Sequence, residues 1–382
     1  MNDVVIVGGG PVGATLALAL ADSGFNITVL EAQSTQKSDP RAIALAEGSK
    51  LILQRLGVWN DLETTPINTI HVSEKGRLGR TILKAEQMRQ EALGYVVDYV
   101  QLSAVLSEAL AQSKVNYQRG AAVSQLLPAA QSCGVAFEQD QQAQHIETKL
   151  AVLADGGRSL NEVHNLPRTV REYEQSALVA RIETELPHHN IAYERFTKQG
   201  PVALLPWGER GFTLVWTVLP EAAQALRELD EAQFLSQLHT HFGDRLGAFT
   251  KVTARMVFPL KMAWVRPSTA EHLAVIGNAA QTLHPVAGQG FNLGLRDAWE
   301  LSQIIRETPP ENLGNADMLT KYRATRRMDT GASMLFTDLL IRAFDARLPA
   351  SGLLRGAGLA ALELFPPARN FLLRKMSFGA RG

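Results

Sequence analysis

The residues best placed to do chemistry near the start of this chain are glycines that follow a short apolar run. Gly8, Gly10 and Gly13 have the spacing Gly-x-Gly-x-x-Gly between a strand-like and a helix-like segment. Glycine permits a tight turn at the first position, close approach of a pyrophosphate at the second and helix–sheet packing at the third. The N–H groups at a helix N-terminus bind phosphate oxygens. The pattern predicts a dinucleotide site that also includes Pro11 and Val12.

An acidic residue ends the next apolar segment. Ile27 to Leu30 predicts a second strand that stops at Glu31. A carboxylate at this position accepts hydrogen bonds from ribose hydroxyls and repels the additional phosphate of NADP, so FAD or NAD fits better. Glycine-rich turns alone are common, but strand, glycines, helix, strand and Glu31 together favour a dinucleotide site over a plain βαβ turn.

Other polar residues of the N-terminal half could reach the same ligand. Arg41 follows a polar loop and could contact a cofactor phosphate, although a solvated arginine at a helix start is equally consistent with the sequence. Gln101 lies on the amphipathic segment Tyr99 to Gln112 and could face either a ligand or solvent. Asp155 and Gly156 follow an apolar strand, where open α/β sheets bind ligands. An Asp-Gly pair is otherwise typical of a simple turn.

A second glycine-rich segment lies near residue 290. Leu273 to Ile276 predicts a strand, and a helix is predicted from about Leu295 to Arg306. Glycines between them would let backbone N–H groups approach a flat or anionic ligand, with a helix N-terminus behind. Packing alone does not readily explain so many glycines beside polar side chains. The candidate cofactor-binding residues here are Gly277, Asn278, Pro285, Gly288, Gln289, Gly290 and Asn292.

Composition excludes several classes of function. The chain has 382 residues, 46% of them hydrophobic, with 38 basic and 38 acidic side chains, which is typical of a globular protein of about two domains. No basic excess points to nucleic acid. Cys133 is the only cysteine, which excludes an intramolecular disulfide and a multi-cysteine metal site, and we predict no metal. Asp3 and the glycines argue against a signal peptide, and no apolar run is long enough to span a bilayer.

The periodicity changes along the chain and predicts a discontinuous domain organisation. Extended segments between 170 and 260 indicate an antiparallel sheet with one helical interlude, Glu221 to His241. The predicted fold class is α/β, with a Rossmann-like nucleotide domain, an inserted antiparallel-sheet substrate domain and a helical C-terminal segment. The nucleotide domain takes 1–65, 94–168 and 254–308, the substrate domain 66–93 and 169–253, and the C-terminal region 309–382.

Three motifs in order resemble those of the class A FAD-dependent aromatic hydroxylases. They are the first glycine motif with Glu31, the triplet Ala154-Asp155-Gly156, and the segment Gly277 to Gly294. Within that class the chain is similar to the ubiquinone-biosynthesis hydroxylases, especially the subgroup acting on 2-polyprenyl-6-methoxyphenols. The sequence segments on which this resemblance rests are Asp39 to Leu45, Arg195 to Pro201 and Gly277 to Pro285.

Two departures from the wider class mark the same subgroup. Asn278 stands where the class usually has an aspartate that reaches the ribityl chain of the flavin. Ser159 is followed three residues later by Glu162 in place of the usual arginine, which alters the motif through which the class handles NAD(P)H.

The resemblance implies FAD as the bound cofactor, NADH or NADPH as reductant and O2 as co-substrate. In such enzymes NAD(P)H reduces FAD, O2 forms a flavin hydroperoxide, and a ring carbon activated by a phenol hydroxyl attacks the distal oxygen. His284 and Pro285 would lie near the edge of the flavin, with His284 either a proton relay or a structural hydrogen-bonding group. The implied substrate is a polyprenylated methoxyphenol of ubiquinone biosynthesis.

Two other functions stay open from the sequence. One is a flavin reductase or oxidase acting on an isoprenoid, which O2-dependent hydroxylation would exclude. The other is a non-catalytic flavin-binding component of a quinone-synthesis complex, which predicts FAD that NAD(P)H does not reduce.

A polyprenylated substrate resides in the bilayer, so the expected partners are the membrane surface and other ubiquinone-biosynthesis proteins. Leucine and phenylalanine alternate with arginine towards the C-terminus, a composition that suits an interfacial helix on anionic lipid. A helical cap packed on the nucleotide domain is an equal alternative for 334–348 and a weaker one for 353–376. We expect a cytoplasmic protein, peripheral on the inner face of the membrane.

Overall fold

The computed structural model describes residues 2–35, 39, 41–76, 80–163, 166–197, 199–283, 288–343 and 366–379. In this part of the chain the strands are β1 (Asn2–Val7), β2 (Ile27–Glu31), β3 (Ala42–Leu45), β4 (Thr64–Ile67), β5 (Thr69–Glu74), β6 (Arg80–Lys84), β7 (Gly94–Asp98), β8 (Asn116–Arg119), β9 (Ala122–Pro128), β10 (Cys133–Gln139), β11 (Gln142–Leu153), β12 (Arg168–Thr184), β13 (Ile191–Thr197), β14 (Gly200–Trp207), β15 (Gly211–Val218), β16 (Phe249–Val252), β17 (Met256–Val265), β18 (Thr269–Ala270), β19 (Leu273–Val275) and β20 (Gln281–Thr282). The α-helices are α1 (Pro11–Leu20), α2 (Glu47–Arg55), α3 (Tyr99–Gln112), α4 (Pro220–Glu228), α5 (Glu231–Phe242), α6 (Gln289–Glu307), α7 (Ala316–Ala343) and α8 (Pro366–Phe378).

An eight-stranded sheet carries the first glycine motif. Its order is β18-β19-β11-β1-β2-β8, with β10 beside β11 and β9 beside β10. The central strand β1 pairs in parallel with both β2 and β11. Strands of this kind are buried on both faces, which explains the continuous apolar run Val4 to Val7. Helices α1, α3 and α6 pack against the sheet in one core, so the Rossmann-like fold class is confirmed.

A nine-stranded, mostly antiparallel sheet forms the second layer. Its order is β20-β17-β12-β15-β14-β13-β5-β6, with β16 beside β12. Helices α4 and α5 cover one face of it. The sequence predicted a single helix here, but the chain breaks at Leu229 and restarts at Asp230, whose carboxylate caps α5 by accepting a hydrogen bond from Gln233 N.

The structure moves two predicted boundaries and changes the setting of Arg41. Strand β17 pairs with β12 in the nine-stranded sheet, although residues from 254 onward were predicted to rejoin the nucleotide domain. Helix α6 begins at Gln289 and not near Leu295, because its glycines are held by tertiary packing despite their low helix propensity. Arg41 directly precedes strand β3 and not a helix; β3, β7 and β4 form a small third sheet.

The C-terminal helix α8 packs on the protein through one face. Leu373 is buried with Leu83, Ala85 and Leu93. Phe371 points the other way and is 64% exposed. Residues 366–376 therefore include a helix that packs on the protein, as in the alternative prediction of a helical cap. Residues 344–365 lie outside the described residues. None of the helices in the described ranges has the length and apolar character needed to cross a bilayer.

Candidate flavin site

One cavity lies between the two large sheets. Its volume is about 1040 Å³, and its walls come from the carboxyl ends of β1, β2 and β11, from the start of α6 and from one face of the nine-stranded sheet. Eleven of the predicted cofactor-binding residues line it: Gly8, Gly10, Pro11, Val12, Glu31, Arg41, Asp155, Gly156, Asn278, Gly288 and Gly290. The three sequence motifs thus meet at one place, which the sequence predicted from the strand ends.

The three glycines of the first motif serve different purposes. Gly8 has φ of +103°, and a Cβ there would lie 2.7 Å from Cα of Asp155. A Cβ on Gly13 would lie 2.0 Å from the carbonyl oxygen of Gly8. A Cβ on Gly10 would meet no protein atom within 4 Å. The fold therefore requires glycine at positions 8 and 13, whereas at position 10 only a ligand in the cavity would require it.

The start of α1 and the end of β2 present groups that suit a dinucleotide. The first intrahelical hydrogen bond of α1 runs from Ala14 N to Gly10 O, so the N–H groups of Val12 and Gly13 lie before this ladder and can bind phosphate. The carboxylate of Glu31 accepts from Gly9 N at 2.7 Å and from Gln33 N at 2.8 Å. These bonds fix its orientation and leave lone pairs for ribose hydroxyls.

The third motif packs directly against the first. Gly277 has φ of +61°, and a Cβ on either Gly277 or Gly294 would approach a methyl group of Val12 to 3.0 Å. Gly277 N donates to the carboxylate of Asp297 at 2.9 Å. Gly294 lines the cavity and Gly277 lies next to it, and both permit close contact between α1, α6 and the turn after β19.

A buried ionic network stands behind that turn. Asp297 accepts from Arg326 Nε at 2.7 Å, and Arg326 Nη1 donates to Asp329 at 2.8 Å. Arg296 Nε also donates to Asp329, at 2.9 Å. Burial alone would lower the pKa of Arg326, but the carboxylates of Asp297 and Asp329 outweigh it and raise that pKa. The network ties α6 to α7 and holds the peptide of Gly277 in place.

Comparison with known proteins identifies the family. Residues 1–334 match the family described as FAD binding domain. The chain belongs to this family. It is 32% identical over 388 residues to the ubiquinone hydroxylase UbiL of Rhodospirillum rubrum, covering 97% of this chain and 88% of that protein. It is 29% identical over 382 residues to the 3-demethoxyubiquinol 3-hydroxylase of Escherichia coli, covering 95% of each.

A solved structure has the same fold. The p-nitrophenol 4-monooxygenase PnpA of Pseudomonas putida aligns with a TM-score of 0.80 at 17% identity, covering 100% of this chain and 99% of that one. The family and its relatives make the protein an FAD-dependent monooxygenase, as the resemblance implied. The cradle around Gly10 and the fixed carboxylate of Glu31 fit that cofactor.

Two cavity residues of this flavoprotein have structural partners of their own. The guanidinium of Arg41 pairs with Asp39 and lies 5.3 Å from the ring centroid of Tyr99. The carboxylate of Asp155 accepts from Gly157 N at 2.8 Å and from Ser159 N at 2.7 Å. Asp155 therefore organises the loop after β11, and it contributes to the cavity wall from within that loop.

Other predicted ligands lie away from the cavity wall. Gln101 accepts from Glu63 N on the surface, and Gln289 is buried in the first turn of α6. Asn292 accepts from Ala46 N and Ser49 Oγ and donates to Ala44 O and Gly288 O. All four hydrogen-bonding positions of that amide are used within the protein, so the side chain of Asn292 has structural partners of its own. His284 and Pro285 lie outside the described residues.

Glu194 is an acidic residue of the cavity that was not predicted from the sequence. It lies on β13 between Ala192 and Phe196, and all three line the cavity. Burial raises the pKa of the Glu194 carboxyl to about 7. An acidic residue at an inward position of an alternating strand was the available signal, but periodicity does not say which face of the predicted sheet turns to a ligand.

Proposed function

We propose that the protein hydroxylates the aromatic ring of a polyprenylated methoxyphenol in ubiquinone biosynthesis, with NADH or NADPH as reductant and O2 as co-substrate. The observation that carries this proposal is a single cavity of about 1040 Å³ in which the flavin motifs face an apolar sheet. A ring with an attached isoprenoid needs such an apolar wall beside the flavin. Relatives named as ubiquinone-pathway hydroxylases support the substrate class.

Different residues of the cavity would bind different parts of FAD. Gly10 and the start of α1 would cradle the pyrophosphate, and Glu31 would bind the ribose. The side chain of Asn278 faces the cavity and has no hydrogen-bond partner among the described residues, which leaves its amide for the ribityl chain or the flavin ring. Bound FAD supplies the redox chemistry with NAD(P)H and O2, while the protein orients the ring and excludes water.

The substrate wall is the face of the nine-stranded sheet opposite α4 and α5. Cross-strand neighbours on β5, β13 and β14 place their side chains on this one face. Apolar members of the face are Ile70, Val72, Ala192, Ala203, Leu205, Val215 and Phe258. We propose that the ring and the first isoprene units lie along these residues.

We also propose that the protein takes its substrate from a membrane surface or from a neighbouring ubiquinone-biosynthesis protein. Large apolar side chains are exposed on the two C-terminal helices, Met328 and Leu335 on α7 and Phe371 on α8. Arg374 and Lys375 lie close to Phe371 on α8. Apolar groups beside cations suit the headgroup region of anionic lipid.

The proposal is tested with FAD-loaded protein and 2-geranyl-6-methoxyphenol as a short-chain probe. With NADH or NADPH and ¹⁸O2, we expect a product that contains one labelled oxygen atom by mass spectrometry, and NAD(P)H oxidation that the probe stimulates. Reduction of FAD without labelled product would instead identify a reductase or oxidase. In a deletion strain, the accumulated quinone intermediate should lack the corresponding ring hydroxyl.

A further inference from the structure

The substrate wall of the cavity contains a single acidic side chain among its described residues. Strand β13 contributes Ala192, Glu194 and Phe196 to this wall. In the registers of β13, Glu194 pairs with Val72 on β5 and with Ala203 on β14. The carboxylate is thus surrounded on its own face by apolar neighbours, an environment in which an acid is costly to keep charged.

We propose that Glu194 accepts the proton of the substrate's phenol hydroxyl during ring oxygenation. This inference rests on the proposed function and assigns a catalytic residue to it. Glu194 forms no hydrogen bond or ion pair with another described residue, and its oxygens are accessible from the cavity. A substrate hydroxyl placed against the sheet can therefore reach an acceptor that no protein group occupies.

The electrostatics of the wall suit this role. Burial is the cause of the raised pKa of Glu194, about 7, and no neighbouring charge contributes to it. The carboxyl is therefore closer in pKa to a phenol, ordinarily about 10, than an ordinary glutamate is, and it still ionises near neutral pH. On the same face of the sheet, Glu74 lies opposite Phe196 in the strand register and is not part of the cavity lining. Arg181 forms a salt bridge with Asp98. The other ionisable groups that line the cavity lie on its flavin side, namely Glu31, Arg41, Tyr99, Asp155 and Arg158. Tyr193 turns its ring to the opposite face of the sheet, against Phe242.

In the proposed step, a proton moves from the phenol hydroxyl to Glu194 and back while one oxygen atom is added to the ring. The phenol O–H bond breaks, its proton forms a bond to a carboxylate oxygen of Glu194, and the electron pair stays on the phenol oxygen and enriches the ring. One atom of O2 is added to the ring carbon, and the other leaves as water with two electrons from NAD(P)H and two protons. The ring carbon then loses its hydrogen as a proton, the added oxygen takes up one proton in exchange and becomes the new hydroxyl, the aromatic ring reforms, and Glu194 returns its proton to the phenol oxygen.

The test compares wild type with Glu194→Gln, using 2-geranyl-6-methoxyphenol as the probe. A positioned proton acceptor typically increases the reaction rate by about 10²- to 10⁴-fold. In Glu194→Gln, kcat for hydroxylation should therefore fall by about 100-fold or more, with little change in the Kd of the probe. More of the NAD(P)H should be oxidised to H2O2 without product. Wild-type kcat should rise with pH through about 7, because the base must be ionised, and the variant should lose this rise.

Thermal stability separates this role from a structural one. Because the folded-state pKa is raised from 4.5 to about 7, this carboxyl lowers the stability of the fold as pH rises from about 4.5 to about 7, and the loss is complete above that pH; Glu194→Gln should therefore be at least as stable as wild type at pH 8. Glu183→Gln is the matched control, since Glu183 lies on β12 and pairs with Lys251 at the surface. It should leave kcat and the pH profile unchanged.

Each outcome decides between the two proposals. Wild type that makes no hydroxylated product overturns the proposed function. Wild type that hydroxylates the probe, with Glu194→Gln within about threefold in kcat and unchanged in pH profile, overturns only the role of Glu194. If Glu194→Gln loses FAD, Glu194→Asp replaces it: a lower kcat with the pH rise retained supports the proposal, and a flat profile in wild type refutes it.

Discussion

Alanine at Gly10 and at Gly13 should separate cofactor binding from folding. Gly10 has φ of −64°, a conformation that alanine adopts freely, and a Cβ there meets no protein atom within 4 Å. The free energy of unfolding of the Gly10→Ala apoprotein should therefore stay within about 0.5 kcal/mol of wild type. Gly10→Val, which adds two more methyl groups, should empty the site.

The cost of Gly10→Ala should appear only when FAD binds. A methyl group in the path of the pyrophosphate overpacks the site, and overpacking costs about 1–3 kcal/mol. Since each 1.4 kcal/mol is tenfold in affinity, FAD binding should weaken by roughly 5- to 150-fold. Titration of FAD into apoprotein, followed by quenching of flavin fluorescence, measures this change.

The Gly13→Ala variant should fail in the opposite way. Its Cβ would lie 2.0 Å from the carbonyl oxygen of Gly8, a distance that requires backbone movement. Alanine favours a helix over glycine by about 1 kcal/mol, which offsets only part of a clash of 1–3 kcal/mol or more. Urea denaturation of the apoprotein should show lower stability. Wild-type FAD affinity in Gly10→Ala, or wild-type stability in Gly13→Ala, would refute our account of the motif.

Four further substitutions and one alkylation reaction test other parts of the structure. Asn278→Leu should weaken FAD by about 1–3 kcal/mol in the same titration, because a buried flavin group loses its partner. Asp297→Asn breaks a buried ion pair, with Asp297 only 1% exposed, and should cost about 3 kcal/mol in urea denaturation. Burial raises the pKa of Cys133 to about 12, so iodoacetamide at pH 8 should alkylate native protein orders of magnitude more slowly than unfolded protein. Leu373→Ala should cost about 2–5 kcal/mol, whereas Phe371→Ala should leave stability within about 0.5 kcal/mol and reduce sedimentation with anionic vesicles.

Local signals account for the parts of the fold that could be predicted. The spacing of Gly8, Gly10 and Gly13 marks the end of β1 and the start of α1, and α3 occupies the predicted segment Tyr99 to Gln112. The boundary at 254 was wrong because the alternation of β17 is the same whichever sheet it joins. Which sheet β17 joins depends on pairing between segments that are far apart in the chain, and a single sequence does not reveal that pairing.

Tertiary contacts explain the site residues that the sequence misread or missed. The amide of Asn292 looked like a ligand, yet it joins α6 to Ala46, just before α2, and to Ser49 in α2, across more than 240 residues. Arg326 and Asp297 are 29 positions apart and meet only once α6 and α7 pack together. Glu194 was visible as an acid in an alternating strand, but its significance depends on which face of the sheet borders the cavity.

The contact of Val12 with Gly277 and Gly294 has a consequence for synthesis of the protein. The ribosome makes the first glycine motif at the start of translation, but the turn and helix that enclose it emerge more than 260 residues later. Segments of a domain that are far apart in sequence cannot pack until both have left the ribosome. A nascent chain shorter than about 294 residues therefore holds only an open half of the groove, and we expect FAD to be captured late, by a chain that is almost finished or already released.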